Sequence, residues 1–251
     1  MDESLYHLHY YQETSHWWFT ARARIVRRVL ETYGHLEAGD TVLDVGCGAG
    51  GFMRALADRY NVVGIDTSPL AVEYTRKRGI DHVFEMRVED FPKRDFDVRA
   101  AVLLDVIEHI EDDVSVLRAT REIVRPGGVV VVTVPAYMWL WSAHDVLNHH
   151  KRRYTAASLR KSLAAAGLSP MKLTYFNTFL FPLAAARRVI DADEKSDPQR
   201  GRTAGVSCAA YDIASPIVNG VLGAIFAAER HILPLADLPF GVSLLAVARV
   251  D

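Results

Sequence analysis

Short, near-continuous apolar runs recur at Thr41–Val45, Asn61–Ile65, Phe96–Leu104, Val129–Val134, Leu168–Tyr175 and Val242–Val250. Most stretches between them space their apolar residues for a helix. Ile25, Val26, Val29 and Leu30 form one such face, and Phe52–Tyr60, Val114–Val124 and Ala156–Ala166 read the same way. Runs apolar on both faces suit parallel strands covered by helices, and their alternation with helices predicts an α/β sheet. His82–Met86 is a shorter candidate strand. The last run carries Val242, Leu244, Ala246 and Ala248 on one face; Ser243, Leu245, Val247 and Arg249 lie on the other. Helix ends are punctuated. Ser68-Pro69 opens a helix that Gly79 closes, and Thr155 opens one that Gly167 closes.

The first run leads into Asp44-Val45-Gly46-Cys47-Gly48-Ala49-Gly50-Gly51 and then a helix. Glycines between a strand and a helix let backbone approach a nucleotide-sized ligand. Gly46, Gly48 and Gly51 fit the dinucleotide pattern, which alone is a weak signal. Asp44 discriminates, because a carboxylate ahead of the loop repels a diphosphate and suits a ligand with a cationic end. S-adenosylmethionine (SAM) carries a sulfonium and an ammonium and no phosphate. About 20 residues on, the second run ends at Asp66, where a carboxylate can accept from ribose hydroxyls.

With VLDVGCGAG and VVGID together, the chain resembles the class I SAM-dependent methyltransferases. Further family-like features are the D-x-x-E-H-x-x-D run from Asp105 to Asp112, a marker of the small-molecule branch, and Pro126-Gly127-Gly128 before a strand. The resemblance covers roughly Asp40 to Leu173. It implies a Rossmann-like, doubly wound, seven-stranded sheet with the last strand antiparallel, an N-terminal helical lid and an apolar helical insertion before the last strand. It also implies SAM as cofactor, with Arg22, Asp44, Gly46, Cys47, Gly48, Asp66, Thr67, Val88, Glu89, Asp105 and His109 around it. One position departs from the family form: Arg87 stands where relatives carry an adenine-binding Asp, leaving the Val88 backbone and the Glu89 side chain for the adenine.

Pro135–Thr155 follows the carboxyl end of a strand and mixes aromatics with three histidines and an Asp. Apolar walls with a few polar groups suit a small-molecule acceptor. Trp18, Tyr137, Trp141 and Tyr154 are the candidate walls, and His144 or His150 the candidate general base, histidine being tuned to move protons near neutral pH. Each histidine also has a structural reading, as a hydrogen-bonded loop anchor. Glu108 and His109 have one too, holding their loop, and Asp112 or Asp113 as a helix cap. No metal is expected: His7 and His9, two apart, do not share a helix face.

The 251 residues are half apolar, carry a net charge of −2 and include two cysteines, Cys47 and Cys208. This composition predicts one α/β domain, no disulfide framework and a cytoplasmic setting. It carries no charge footprint for nucleic acid, and no apolar run is long enough for stable membrane insertion. The partner expected is a small, hydrophobic or aromatic methyl acceptor; the oligomeric state is open. The division expected within the single domain is a lid at 1–34, a SAM-binding core at 35–175, a helical insertion at 176–239 and the final strand at 240–251. Asp191–Ser207, polar and rich in Gly, Ser and Asp, is expected to be partly disordered. Two other readings remain: a nicotinamide-dependent oxidoreductase and a non-catalytic SAM-binding protein.

Overall fold

The computed structural model describes residues 3–196 and 215–251. Cys208 and the polar patch from residue 197 onward lie outside the described residues. Helices α1 (Glu3–Gln12) and α2 (Trp17–Gly34) precede β1 (Thr41–Val45), α3 (Gly51–Leu56), β2 (Asn61–Asp66), α4 (Pro69–Lys77) and β3 (Val83–Glu85). Then come β4 (Val98–Leu104), α5 (Asp113–Ile123), β5 (Val129–Pro135), α6 (Ala143–Leu147), α7 (Ala156–Ala165) and β6 (Ser169–Phe176). Helices α8 (Phe181–Ser196) and α9 (Pro216–Ala228) lead to β7 (Ser243–Arg249).

The seven strands form one sheet in the order β3-β2-β1-β4-β5-β7-β6. Strand β7 runs antiparallel to both neighbours, and the other pairings are parallel. Period-two alternation divides the core between the two faces. Ala101, Leu103, Val130, Val132 and Ala246 pack against α5 and α7 through Leu117, Leu159 and Leu163. Ala100, Val102, Val129, Val131 and Val247 pack on the opposite side, against Ile25, Val26, Val29 and Leu30 of α2.

The N-terminal segment therefore divides. Helix α2 is a layer of the sandwich, while α1 lies against α4 and the glycine loop. The insertion divides in the same way, because α9 packs on α2 through Phe226 and Ala227. Asn219 fixes that contact, accepting from the Trp17 N–H at 2.9 Å and donating to the Ser15 carbonyl at 2.9 Å. Among the described residues, no helix is long and apolar enough to cross a membrane.

Two carboxylates without any periodic signature tie these outer segments to the sheet. Glu229, fully buried, accepts from the backbone N–H groups of Asn177 (2.7 Å), Thr178 (2.7 Å) and Phe179 (3.1 Å), pinning the turn that leaves β6. Glu13, just after α1, accepts from Gly51 at 2.8 Å and Ala49 at 3.3 Å. It is paired with Arg78, which in turn donates to the Ala49 and Tyr10 carbonyls. Gly51 has to be glycine here, since a Cβ would sit 2.5 Å from that of Glu13.

Removing either carboxylate strands buried donors. Glu229→Ala should cost about 3 kcal/mol through its orphaned N–H groups, and Glu13→Ala about 3–5 kcal/mol because it also leaves a buried guanidinium unpaired. Urea unfolding checks both, with partial proteolysis expected to cut near residues 3–16 only in the Glu13 variant.

Candidate active site

The carboxyl ends of β1, β2 and β4 open a crevice on one edge of the sheet, where ligands of doubly wound sheets bind. Gly46 turns the chain out of β1 at φ 72°, and a Cβ there would lie 2.7 Å from Val106. Asp66 closes β2; its two oxygens accept from Gly48 N (3.0 Å) and Ser68 N (2.9 Å). Burial pushes its carboxyl up despite those N–H bonds. Thr67 is exposed and contributes its backbone beside that carboxyl. The Tyr6 hydroxyl, from α1, lies by Ser68 and Asp66.

Asp44 is buried on β1. Burial raises its pKa to about 7, with Glu13 and Asp66 adding to the rise and the Arg22 charge opposing it. Arg22 reaches from α2 to the Asp105 carboxylate and lies over the Trp18 ring, 4.5 Å from its centroid. Asp105 itself sits at φ 60°, a left-handed conformation that is uncommon without glycine and concentrates at functional positions. Cys47 is a buried thiol, pushed well up by burial. Val88 packs its side chain into the core, and Glu89 faces solvent beside Arg87 at 3.4 Å.

The histidine segment folds back on the turn after β4. Asp145 is fully buried and holds three groups: Arg153 (Nε 2.7 Å, Nη2 2.9 Å), His150 Nδ1 (2.9 Å) and the Ser142 N–H (2.8 Å). Burial alone would raise its pKa, yet His150 and Arg153 hold it well below the usual carboxylate range. The His109 and His150 rings meet edge to face at 4.6 Å, and His144 lies 6.0 Å from His150. Burial lowers His144 to about 4 and His109 to about 3, the His150 charge adding in each case. His9 of α1 is drawn in beside His144 and Arg22 and is likewise lowered by burial, to about 4. His7 points elsewhere, to the Tyr74 hydroxyl at 2.8 Å.

Among the wall candidates, Tyr137 adopts φ 56° and stacks on Tyr175 at 5.1 Å and on Trp139 at 5.9 Å. Trp18 lies on Arg22, and Trp141 is half-buried at the end of the turn before α6. Tyr154 is not a wall. It is 2% exposed, packs in the core and donates to Asp113 Oδ2 at 2.8 Å. Its bridge to Ala136 turns the side chain inward while the neighbouring Arg153 turns to Asp145. Glu13 and Arg78 leave no local trace in the sequence, because their partners lie far along the chain. A local signal existed only for Asp145, as the third position of a capping box begun by Ser142.

A family model described as a methyltransferase domain matches residues 15–173. The ubiquinone biosynthesis O-methyltransferase of Pseudomonas paraeruginosa is 40% identical over 106 residues, covering 38% of this chain and 44% of that protein. A probable S-adenosylmethionine-dependent methyltransferase of Mycolicibacterium smegmatis is 31% identical over 156 residues, covering 60% of this chain and 59% of that one. The chain thus spans about half the length of the curated relatives it matches. Geranyl diphosphate C-methyltransferase from Streptomyces coelicolor, solved with Mg2+, geranyl diphosphate and S-adenosyl-L-homocysteine, has the same fold at a TM-score of 0.55 and 17% identity. That likeness covers 92% of this chain and 77% of the other. With the glycine loop, the strand order and the matched domain in agreement, the chain belongs to the class I SAM-dependent methyltransferases.

Proposed function

We propose that this protein transfers the methyl group of SAM to a hydroxyl oxygen of a small, apolar or aromatic acceptor. The observation that carries the reading is the His150–Asp145 pair at the crevice. A buried carboxylate holds Nδ1 of the imidazole, which leaves Nε2 to handle the acceptor's proton. The O-methyltransferase names of several relatives support oxygen over nitrogen or carbon.

SAM, when bound, supplies a methyl on a positively charged sulfur that needs little further activation. What remains for the protein is to bind, orient and exclude water. Asp66 is suited to the ribose hydroxyls and Asp44 to the cationic end, with the Gly46–Gly48 backbone beside them. Arg22 fixes Asp105 and so shapes the crevice floor. Trp18, Tyr137 and Trp141 wall the acceptor side, joined by Trp139 and Phe181, whose rings meet edge to face at 5.9 Å. In this reading 35–175 is the cofactor-binding core, while α1 and, within 176–239, α8 cover the acceptor; Phe181 of α8 meets Tyr137 and Trp139.

Glu13 bears on the nicotinamide alternative. The N–H groups at 49 and 51, where a diphosphate would bind, already serve a carboxylate clamped by Arg78. A phosphate-free adenosine leaves that clamp in place. A diphosphate would have to displace it.

Titration calorimetry should show SAM binding and no measurable NAD binding. Asp66→Ala should weaken SAM by about 1.5–3 kcal/mol, the scale of a hydrogen bond to a charged group; unchanged affinity would mean that the ribose is held elsewhere. A cationic ligand favours ionised Asp44, whose pKa stands at about 7 in the free protein. SAM affinity should therefore fall as pH drops from 8 to 6, with proton release visible when buffers of different ionisation heat are compared; Asp44→Asn should abolish that release. With radiolabelled SAM and a panel of phenolic acceptors, His150→Ala should lower kcat by about 10²–10⁴ while leaving SAM affinity nearly unchanged. Tight SAM binding with no transfer to any acceptor would favour the non-catalytic reading.

A further inference from the structure

Glu108 is fully buried, and among the described residues no other residue hydrogen-bonds either of its carboxylate oxygens. Leaving a buried carboxylate bare costs several kcal/mol unless it is neutralised or matched by a cation. Its neighbours make the case sharper. One ligand atom each from Glu108, His109 and His150 lie within 4.8 Å of one another.

Backbone bonds create this convergence. The turn Ile107–His109 is closed by His109 N to the Val106 carbonyl at 3.1 Å, and the His150 segment is sewn to it by Lys151 N to the Glu108 carbonyl at 2.8 Å. The imidazoles are also oriented. Asp145 takes Nδ1 of His150, and the Asn148 backbone holds the His109 ring, so each ring has one nitrogen left for another partner. A carboxylate behind a histidine is the usual outer support of a metal-bound imidazole. It sets the ring's tautomer and makes the opposite nitrogen a better donor.

We propose that Glu108, His109 and His150 bind one divalent first-row transition cation of the Zn2+ or Mn2+ kind at the acceptor end of the crevice. Two imidazole nitrogens and one carboxylate oxygen favour such an ion over Mg2+, which prefers all-oxygen sites. Bonds of about 2.0–2.2 Å set donors roughly 3.3 Å apart, so loading draws the three side chains together by at most about 1.5 Å. Three protein ligands leave a position open. Cation binding stands independently of the enzyme's reaction. Use of the open position to hold an acceptor hydroxyl and lower its pKa rests on the methyl-transfer reading, and it makes His150 a ligand instead of a free base.

The test uses the full chain, stripped with EDTA, dialysed, and titrated separately with ZnCl2, MnCl2 and MgCl2. One equivalent of Zn2+ or Mn2+ should bind. Glu108→Gln and His150→Ala should each weaken that binding at least tenfold, while His231→Ala, an exposed histidine outside the crevice, should not. Co2+ loading should give visible absorption bands of nitrogen and oxygen coordination that vanish in His109→Ala. Glu108→Gln is nearly isosteric; unchanged SAM affinity and circular dichroism show that it is folded. The proposal is overturned if no cation reaches one equivalent, or if affinity is the same in Glu108→Gln and the parent. Activity separates the two claims. Metal-dependent transfer lost in Glu108→Gln supports the acceptor role. Transfer lost in His150→Ala but intact in stripped protein and Glu108→Gln overturns that role in favour of a free base. Cation binding with no transfer under any condition overturns the methyl-transfer reading and leaves the site standing.

Discussion

Five acidic side chains, Glu13, Asp44, Asp66, Asp105 and Glu108, gather at the carboxyl edge of the sheet, and burial raises four of them: Glu13, Asp44, Asp66 and Glu108. Two guanidiniums answer them directly, Arg78 on Glu13 and Arg22 on Asp105. Like charges in a medium of low dielectric repel strongly, so this edge is an electrostatic sink for cations. The backbone supplies only part of the relief, through N–H groups aimed at Asp66 and Glu13. A ligand whose far end is positive relieves Asp44, and a divalent ion relieves Glu108. The crevice is therefore selective by charge before any shape is considered.

That constraint also accounts for the course of the outer chain. Helix α1 has little apolar surface to bury, with Leu5 the one residue from Leu5 to Tyr10 that is a buried hydrophobe. Instead, an acid at its end docks on the glycine loop, and Tyr10 packs between Arg78 (4.5 Å) and the Tyr74 ring (4.9 Å). Docking by charge and stacking brings Tyr6 and His9 to the crevice. The sandwich beneath is held differently, by apolar side chains on alternating strand faces.

How much of this could be read from the chain follows from the range of each interaction. Alternation in β7, the cap at Ser68, the stop at Gly79 and the loop at Gly46 are local, and each was legible. The antiparallel last strand came with the family likeness, not from periodicity. Glu13, thirty-eight residues from Gly51, and Glu229, fifty-two from Asn177, carry no local signature. Tyr154 shows a subtler limit. Its composition suits a pocket wall as well as a core position, and only its bridge to Ala136 decides which face it takes. The meeting of Glu108 and His109 with His150 is illegible for the same reason: it requires the fold-back that Lys151 N and the Glu108 carbonyl secure.

His150 then stands where two chemistries share one geometry. Its Nδ1 is committed to Asp145, and that commitment would serve a proton acceptor and a metal ligand equally, since both need a fixed tautomer and an electron-rich Nε2. What separates them is Glu108. A base needs no bare carboxylate beside it, and the imidazolium it becomes would be held most firmly by one at hydrogen-bond distance. The 4.8 Å limit on the three donor atoms is too wide to guarantee such a bond but suits atoms waiting to close on a common centre. Among the described residues Glu108 has no hydrogen-bond partner in another residue, whereas Asp145, buried just as deeply, holds three partners. Two buried acids in one corner, one saturated and one bare, fit an outer carboxylate that aims the histidine and an inner one that awaits the ion.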